Sequence, residues 1–290
     1  MKPRKPDIYR HLPLKSAGRR ELRRRSFDSV VELSDRTRPT YPEQLFDDIV
    51  QLSGVSTGSR VLEVGPGTGQ ATLPMARRGF SILGLELSPK MAAFAAAKLK
   101  DFPNVEIRNL AFEEWKVSPG CFDIVVAAQA FHWIRPTTGF SRSARALKPG
   151  GHLALLWNFG SPGQEDFRAA LKGIYRKHAP RMVEEPRTPE QHIRKQAEKI
   201  TGSGHFAPAV IRRYPWQRKC TAGEYIDQLR TQSSHILLSP GTQRRLYGAI
   251  RTLIDSLGGE ITQRAVAVLL LARTKAKDRP RGSGRFPCSG

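Results

Sequence analysis

Short apolar runs alternate with amphipathic stretches through the middle of the chain. "RVLEVG", from Arg60, reads as a short buried strand, and "TLPMARRG", after a glycine loop, reads as a helix. "SILGLEL" is the next strand. "PKMAAFAAAKLKDF" is a helix, opened by Pro89 in its first turn and rich in alanine, the strongest helix former. "VEIRNL" is a third strand. "FDIVVAAQ" is a fourth, apolar at consecutive positions, as a parallel strand covered on both faces requires. The helix "TTGFSRSARAL", closed by "KPGG", leads to a fifth strand, "HLALLWN". Strands and helices alternating at this spacing predict a doubly wound parallel sheet.

Before the first strand, helical character begins near Ser26 and is interrupted by "RPTYP". Pro39 and Pro42 break the helix, Pro42 opens a new one, and Tyr41 before it is extended. The new helix places Leu45, Phe46, Ile49, Val50 and Leu52 on one broad stripe and stops at Gly54. After Asn158 the rhythm changes. Helices near 165–178 and 189–200 lead to a strand, "AVIRRYPWQRK", then to helices in "AGEYIDQLRTQ" and "GTQRRLYGAIRTLIDSLG". The last strand, "RAVAVLLLARTK", is apolar enough to belong inside the sheet. The expected fold is α/β: a Rossmann-like, doubly wound, mostly parallel seven-stranded sheet with an antiparallel strand near the C-terminus.

Composition adds a core and a charge. Of 290 residues, 39% are hydrophobic, enough for a buried interior. The formal charge is +22, and the excess gathers at the ends, in "RKPDIYRHLPLKSAGRRELRRR" and "RTKAKDRPRGSGR". These define a basic arm over 1–25 and a basic tail over 276–290, both expected to be disordered, around a domain over 26–275. Nucleic acid is a partner these tails allow but the rest of the chain does not favour. Cys121, Cys220 and Cys288 give neither a disulfide framework nor a zinc spacing, and the histidines show no metal spacing, so no metal is expected. No run reaches the apolar length of a membrane span, and the start lacks the apolar stretch of a secretory signal. The expected location is cytoplasmic.

Gly65, Gly67 and Gly69 stand where a backbone approaches a ligand. A triphosphate loop is absent, because no Lys-Ser/Thr pair follows the glycines. A dinucleotide fingerprint needs one more residue between the second and third glycines. Glu63, two residues ahead of Gly65, would repel a pyrophosphate and attract a cation. The loop therefore suits a ligand carrying an amino group and a positive sulfur better than an anionic one.

At this point the sequence resembles the class I S-adenosylmethionine-dependent methyltransferases. "VLEVGPGTGQAT" is similar to that family's first motif, "GLELSPKM" to the segment after the second strand, "FDIVVAAQAFHWI" to the fourth-strand motif, and "LKPGGHLALLW" to the turn into the fifth strand. "SDRTRPTYP", "QAFHW" and "LRTQSSH" further resemble a small-molecule branch that includes trans-aconitate methyltransferase-like enzymes. The resemblance implies S-adenosylmethionine as cofactor. It places Glu63, Gly65, Gly67 and Gly69 against the cofactor and Glu86 on its two ribose hydroxyls. Ala111 and Phe112 stand at the adenine, where the family's usual Gly-Asp is replaced by "NLAFE". Gln129 faces the methionine part, and Tyr41 and Arg38 close over it. His132, at the end of the fourth strand, is the candidate catalytic base. The plainer reading makes His132 and Trp133 a pocket wall.

The reading is methyl transfer to a small-molecule acceptor, a carboxylate or hydroxyl first. An RNA or protein methyltransferase using the basic tails is one alternative, and an NAD-dependent oxidoreductase is another.

Overall fold

The computed structural model describes residues 26–183 and 188–275, so both basic ends of the chain lie outside the described residues. Seven strands form one sheet in the order β3-β2-β1-β4-β5-β7-β6. They are β1 Arg60–Val64, β2 Ser81–Glu86, β3 Val105–Asn109, β4 Phe122–Ala128, β5 Leu147–Pro162, β6 Val210–Thr221 and β7 Glu260–Arg273. β1 pairs in parallel with β2 and β4, β2 with β3, and β4 with β5. The C-terminal strands are antiparallel, as expected, and β7 lies inside the sheet between β5 and β6. Pro215 falls within β6, an edge strand, where a missing N–H breaks no ladder.

The chain divides into two compact units. Among the described residues, the sheet unit comprises 40–159, 188–214 and 267–275. Its interior is the paired apolar strands: Val61, Leu62, Ile124, Val125, Leu153, Leu155, Val268 and Leu269 are inaccessible to solvent. Its helices are α2 Glu43–Ser53, α3 Thr72–Arg77, α4 Pro89–Lys98, α5 Pro136–Ala146 and α7 Pro189–Gly202. Gly54 ends α2 in the left-handed conformation at φ 73°. Tyr214 at the start of β6 donates to Asp48 of α2 at 2.6 Å.

Among the described residues, the helical unit comprises 26–39, 160–183 and 215–266. It carries α1 Val31–Thr37, α6 Glu165–His178, α8 Ala222–Arg230, the short α9 Ser233–Ile236 and α10 Pro240–Asp255. Its core joins Phe167 and Leu171 to Tyr225, Leu229, Leu246, Ile250 and Ile254. Arg218 ties the unit together, donating to Gln263, Gln228 and the carbonyl of Thr37.

One boundary differs from the sequence reading. "KPGG" does not end α5 in a turn outside the sheet. β5 starts at Leu147, opposite Phe122, and resumes at His152, opposite Ile124. The four residues between are a bulge, with Gly150 at φ 78°, so turn-forming residues here bend a strand instead of ending one. Among the described residues no helix is long and apolar enough to cross a membrane. No cluster of metal-ligating side chains occurs there either.

Candidate functional site

The carboxyl ends of β1 to β4 lie within the sheet unit, where open α/β sheets bind ligands. The glycine loop leaves β1 here. Gly65, Gly67 and Gly69 all have positive φ, 69°, 60° and 84°, which an L side chain adopts only with strain. Their reasons differ. A Cβ on Gly65 would come within 2.7 Å of the Cβ of Ala130, so that glycine lets β4's end reach the loop. A Cβ on Gly67 would meet only the sulfur of Met91, at 3.9 Å, so the space beside Gly67 is open toward a ligand.

Glu86, at the end of β2, braces this loop. Its Oε2 accepts from the Gly67 N–H and its Oε1 from the Ser88 N–H, both at 2.9 Å. Ser88 in turn caps α4 by accepting from the Met91 N–H. Asn109 at the end of β3 donates to the carbonyls of Glu86 and Leu87, both at 3.0 Å, and fixes the strand end that carries the carboxylate.

Glu63 lies beneath the loop and is fully buried. Thr72 donates to its Oε2 at 2.6 Å, while its Oε1 has no hydrogen-bond partner. Burial pushes its carboxyl up to about 7, the Thr72 hydrogen bond opposes the rise, and the charge of Glu86 adds to it. A buried oxygen without a partner is costly unless a donor or cation completes it.

The remaining residues take varied positions. Ala111 and Phe112 are buried after β3. Phe112 stacks on Trp115, and the Arg142 guanidinium lies over its ring at 5.6 Å. Arg142 also donates to the carbonyls of Phe112 and Trp115, so the apolar wall is held from behind. Gln129 has φ 57°, the one positive value outside glycine among the described residues. Its N–H donates to Leu156 and its side chain to the carbonyl of Asn158, whose own amide donates to Thr40. Tyr41, next along, is buried edge-on to Phe46. His132 is exposed in the 3-10 turn Phe131–Trp133, its ring 4.7 Å from that of Trp133. Arg38 is placed in the helical unit, where it donates to the carbonyl and hydroxyl of Thr231 and lies over Phe27. Arg38 and Tyr41, expected to act as a pair, therefore fall in different units.

Residues 62–155 match the family described as "Methyltransferase domain". An uncharacterized methyltransferase-like protein of Schizosaccharomyces pombe is 30% identical over 224 residues, covering 76% of this chain and 82% of that protein. The chain belongs to the methyltransferase family. That membership places the glycine loop at the start of the matched methyltransferase domain. An uncharacterized methyltransferase of Mycobacterium tuberculosis is 35% identical over 133 residues, 46% of this chain and 52% of that protein, so the chain spans about half the length of that relative. A demethylmenaquinone methyltransferase of Tropheryma whipplei is 31% identical over 139 residues, 46% of this chain and 57% of that protein. Among solved structures, a protein described as a type II methyltransferase from Anaeromyxobacter dehalogenans superposes with a TM-score of 0.58 at 18% identity. It covers 81% of this chain and 97% of that one, a likeness of fold alone.

Several parts of this candidate site escaped the sequence reading. Asn109 and Arg142 act through hydrogen bonds to residues 23 and 30 positions away, and Thr72 through one to Glu63, nine positions away. Gly84 carried a signal: a Cβ there would come within 2.6 Å of Ile107 and 3.1 Å of Pro66, and a glycine inside an apolar strand marks such an approach.

Proposed function

We propose that this chain transfers a methyl group from S-adenosylmethionine to a small-molecule acceptor, a carboxylate or hydroxyl first. The observation that carries the reading is Glu86, a carboxylate braced by two backbone N–H groups at the lip of the open space beside Gly67. S-adenosylmethionine, when bound, supplies a methyl carbon activated by a positive sulfur. The donor set fits it: Glu86 is an acceptor for a vicinal diol, and the unpartnered Oε1 of buried Glu63 favours a cationic group nearby. Ala111 and Phe112 form an apolar wall, backed by Arg142, that keeps water from a flat ring. Gln129 and Tyr41 line the edge formed by the ends of β4 and β5.

What the chain itself must supply is alignment of the acceptor and exclusion of water. A carboxylate acceptor arrives ionised and needs no base. A phenol or amine needs one, and His132 is the candidate. The small-molecule reading rests on "AQAFHW" after β4, where nucleic-acid amine methylases often carry an Asn/Asp-Pro-Pro-Tyr/Phe segment. The resemblance of "RPTYP" to the trans-aconitate-like branch adds support, as does the quinone-type substrate in the name of the Tropheryma whipplei relative. Fractionated metabolites, RNA and cell protein, each incubated with methyl-labelled cofactor, test this directly. Label in the metabolite fraction is expected, and label confined to RNA or protein would overturn the acceptor class. Replacing His132 by Ala then separates acceptors. Its kcat stays within about twofold for a carboxylate and falls roughly 100-fold or more for an acceptor that must lose a proton.

A further inference from the structure

The helical unit holds a cavity of about 420 Å³ between α8 and α10, and its lining does not enter the methyl-transfer reading. Arg244, Tyr247, Gly248 and Arg251 line it from one face of α10, at the three- and four-residue spacing that stacks side chains along a helix. Ile226 and Arg230 face them from α8. Tyr247 and Ile226 are buried and give the cavity an apolar wall, and the Arg230 guanidinium lies over the Tyr247 ring at 5.3 Å. Arg230 is also oriented by Asp227, at 3.0 Å. Gly248 leaves the middle open, since a Cβ there would meet nothing within 4 Å.

Three arginines therefore converge on one small cavity, and no carboxylate is among the residues lining it. Arginine's fixed fork pairs bidentately with phosphate and carboxylate oxygens. The two α10 arginines are seven residues apart, so their roots lie roughly 10 Å apart along the axis. One compact anion reaches one of them, whereas a molecule with two or three separated acidic groups reaches both and Arg230. The volume falls within the range of small-molecule sites, and Arg244 and Arg251 stand at its exposed mouth.

We infer that this cavity is a binding site for a small polyanion, a molecule carrying at least two separated phosphoryl or carboxylate groups. Its lining residues are none of those assigned to the glycine-loop cradle, and the inference stands whether or not that cradle binds S-adenosylmethionine.

Titration calorimetry on the full chain in 150 mM salt, with pyrophosphate, citrate and inorganic phosphate as probes, tests the inference. Pyrophosphate or citrate is expected to bind saturably and at least tenfold more tightly than phosphate; which of the two is tighter separates phosphoryl from carboxylate ligands. Replacing Arg244 and Arg251 by Glu should weaken that binding more than tenfold. The charge-matched control, Arg213→Glu with Arg264→Glu on exposed strand positions, should leave it within about twofold. Gly248→Leu, which adds bulk without altering charge, should also abolish it. Equal loss in the control pair, unchanged binding in Gly248→Leu, or saturable binding of a 20-nucleotide single-stranded RNA alone would each overturn the inference. S-adenosylhomocysteine titrated into every variant reports on the cradle independently.

Discussion

Two buried titratable side chains give this protein opposing responses to pH. Glu63 has its carboxyl raised to about 7, so between about pH 4.5 and 7 the folded chain holds a proton that the unfolded chain has released. Its contribution is greatest below 4.5 and is lost as pH rises to 7. His235, buried between the Tyr175 and Tyr247 hydroxyls at 3.0 and 3.3 Å, is pulled down to about 4 by burial. Its contribution is present above about 6.5 and is lost as pH falls toward 4. Urea unfolding at pH 5 and 7.5 separates the two. Glu63→Gln should gain stability relative to the parent chain as pH rises, by on the order of 2–3 kcal/mol across that range. His235→Phe should cost about 2–4 kcal/mol at pH 7.5, because two buried hydroxyls lose their partner, and less at pH 5. A cationic ligand beside Glu63 favours the ionised form, so cofactor affinity should rise from pH 5.5 to 7, and Glu63→Gln should flatten that rise. Glu63 was legible as a site residue from its place ahead of the glycines. Its proton was not, because that depends on burial and on Thr72, nine residues away.

Elements were more legible than their joints. Periodicity and turn residues located every strand of the sheet, and β4 most plainly, since a parallel strand covered on both faces has to be continuously apolar. They missed the bulge at the start of β5, because Pro149, Gly150 and Gly151 look alike in a turn and in a bulge; only the pairing of Leu147 with Phe122 distinguishes them. They also missed why each glycine of the loop is there. Gly65→Ala combines a positive φ with a 2.7 Å approach to Ala130, and should destabilise the chain by about 1–3 kcal/mol while moving the end of β4. Gly248→Ala lies within α10 with open space around it, and should stabilise by about 0.5–1 kcal/mol. Thermal or urea melts of the two variants should therefore shift in opposite directions.

For the whole molecule, charge and fold point to different partners. The densest runs of the +22 charge lie in the terminal segments, while the glycine loop stands beside two carboxylates, Glu63 and Glu86. The fold class followed from alternation of elements, and the cofactor from the resemblance of four motifs to a known family. The acceptor has no such signature, because a methyl acceptor is held by whichever side chains surround it and not by a fixed backbone motif. The central claim is that the cradle between Gly67 and Glu86 binds S-adenosylmethionine. The most direct measurement is calorimetric titration of the chain with S-adenosylhomocysteine and, separately, with NAD, repeated on Glu86→Ala. The account predicts micromolar binding of S-adenosylhomocysteine, no saturable binding of NAD, and a loss of about 2–4 kcal/mol, roughly 30- to 1000-fold in Kd, in the variant. NAD binding without S-adenosylhomocysteine binding, or unaltered affinity in Glu86→Ala, would contradict it.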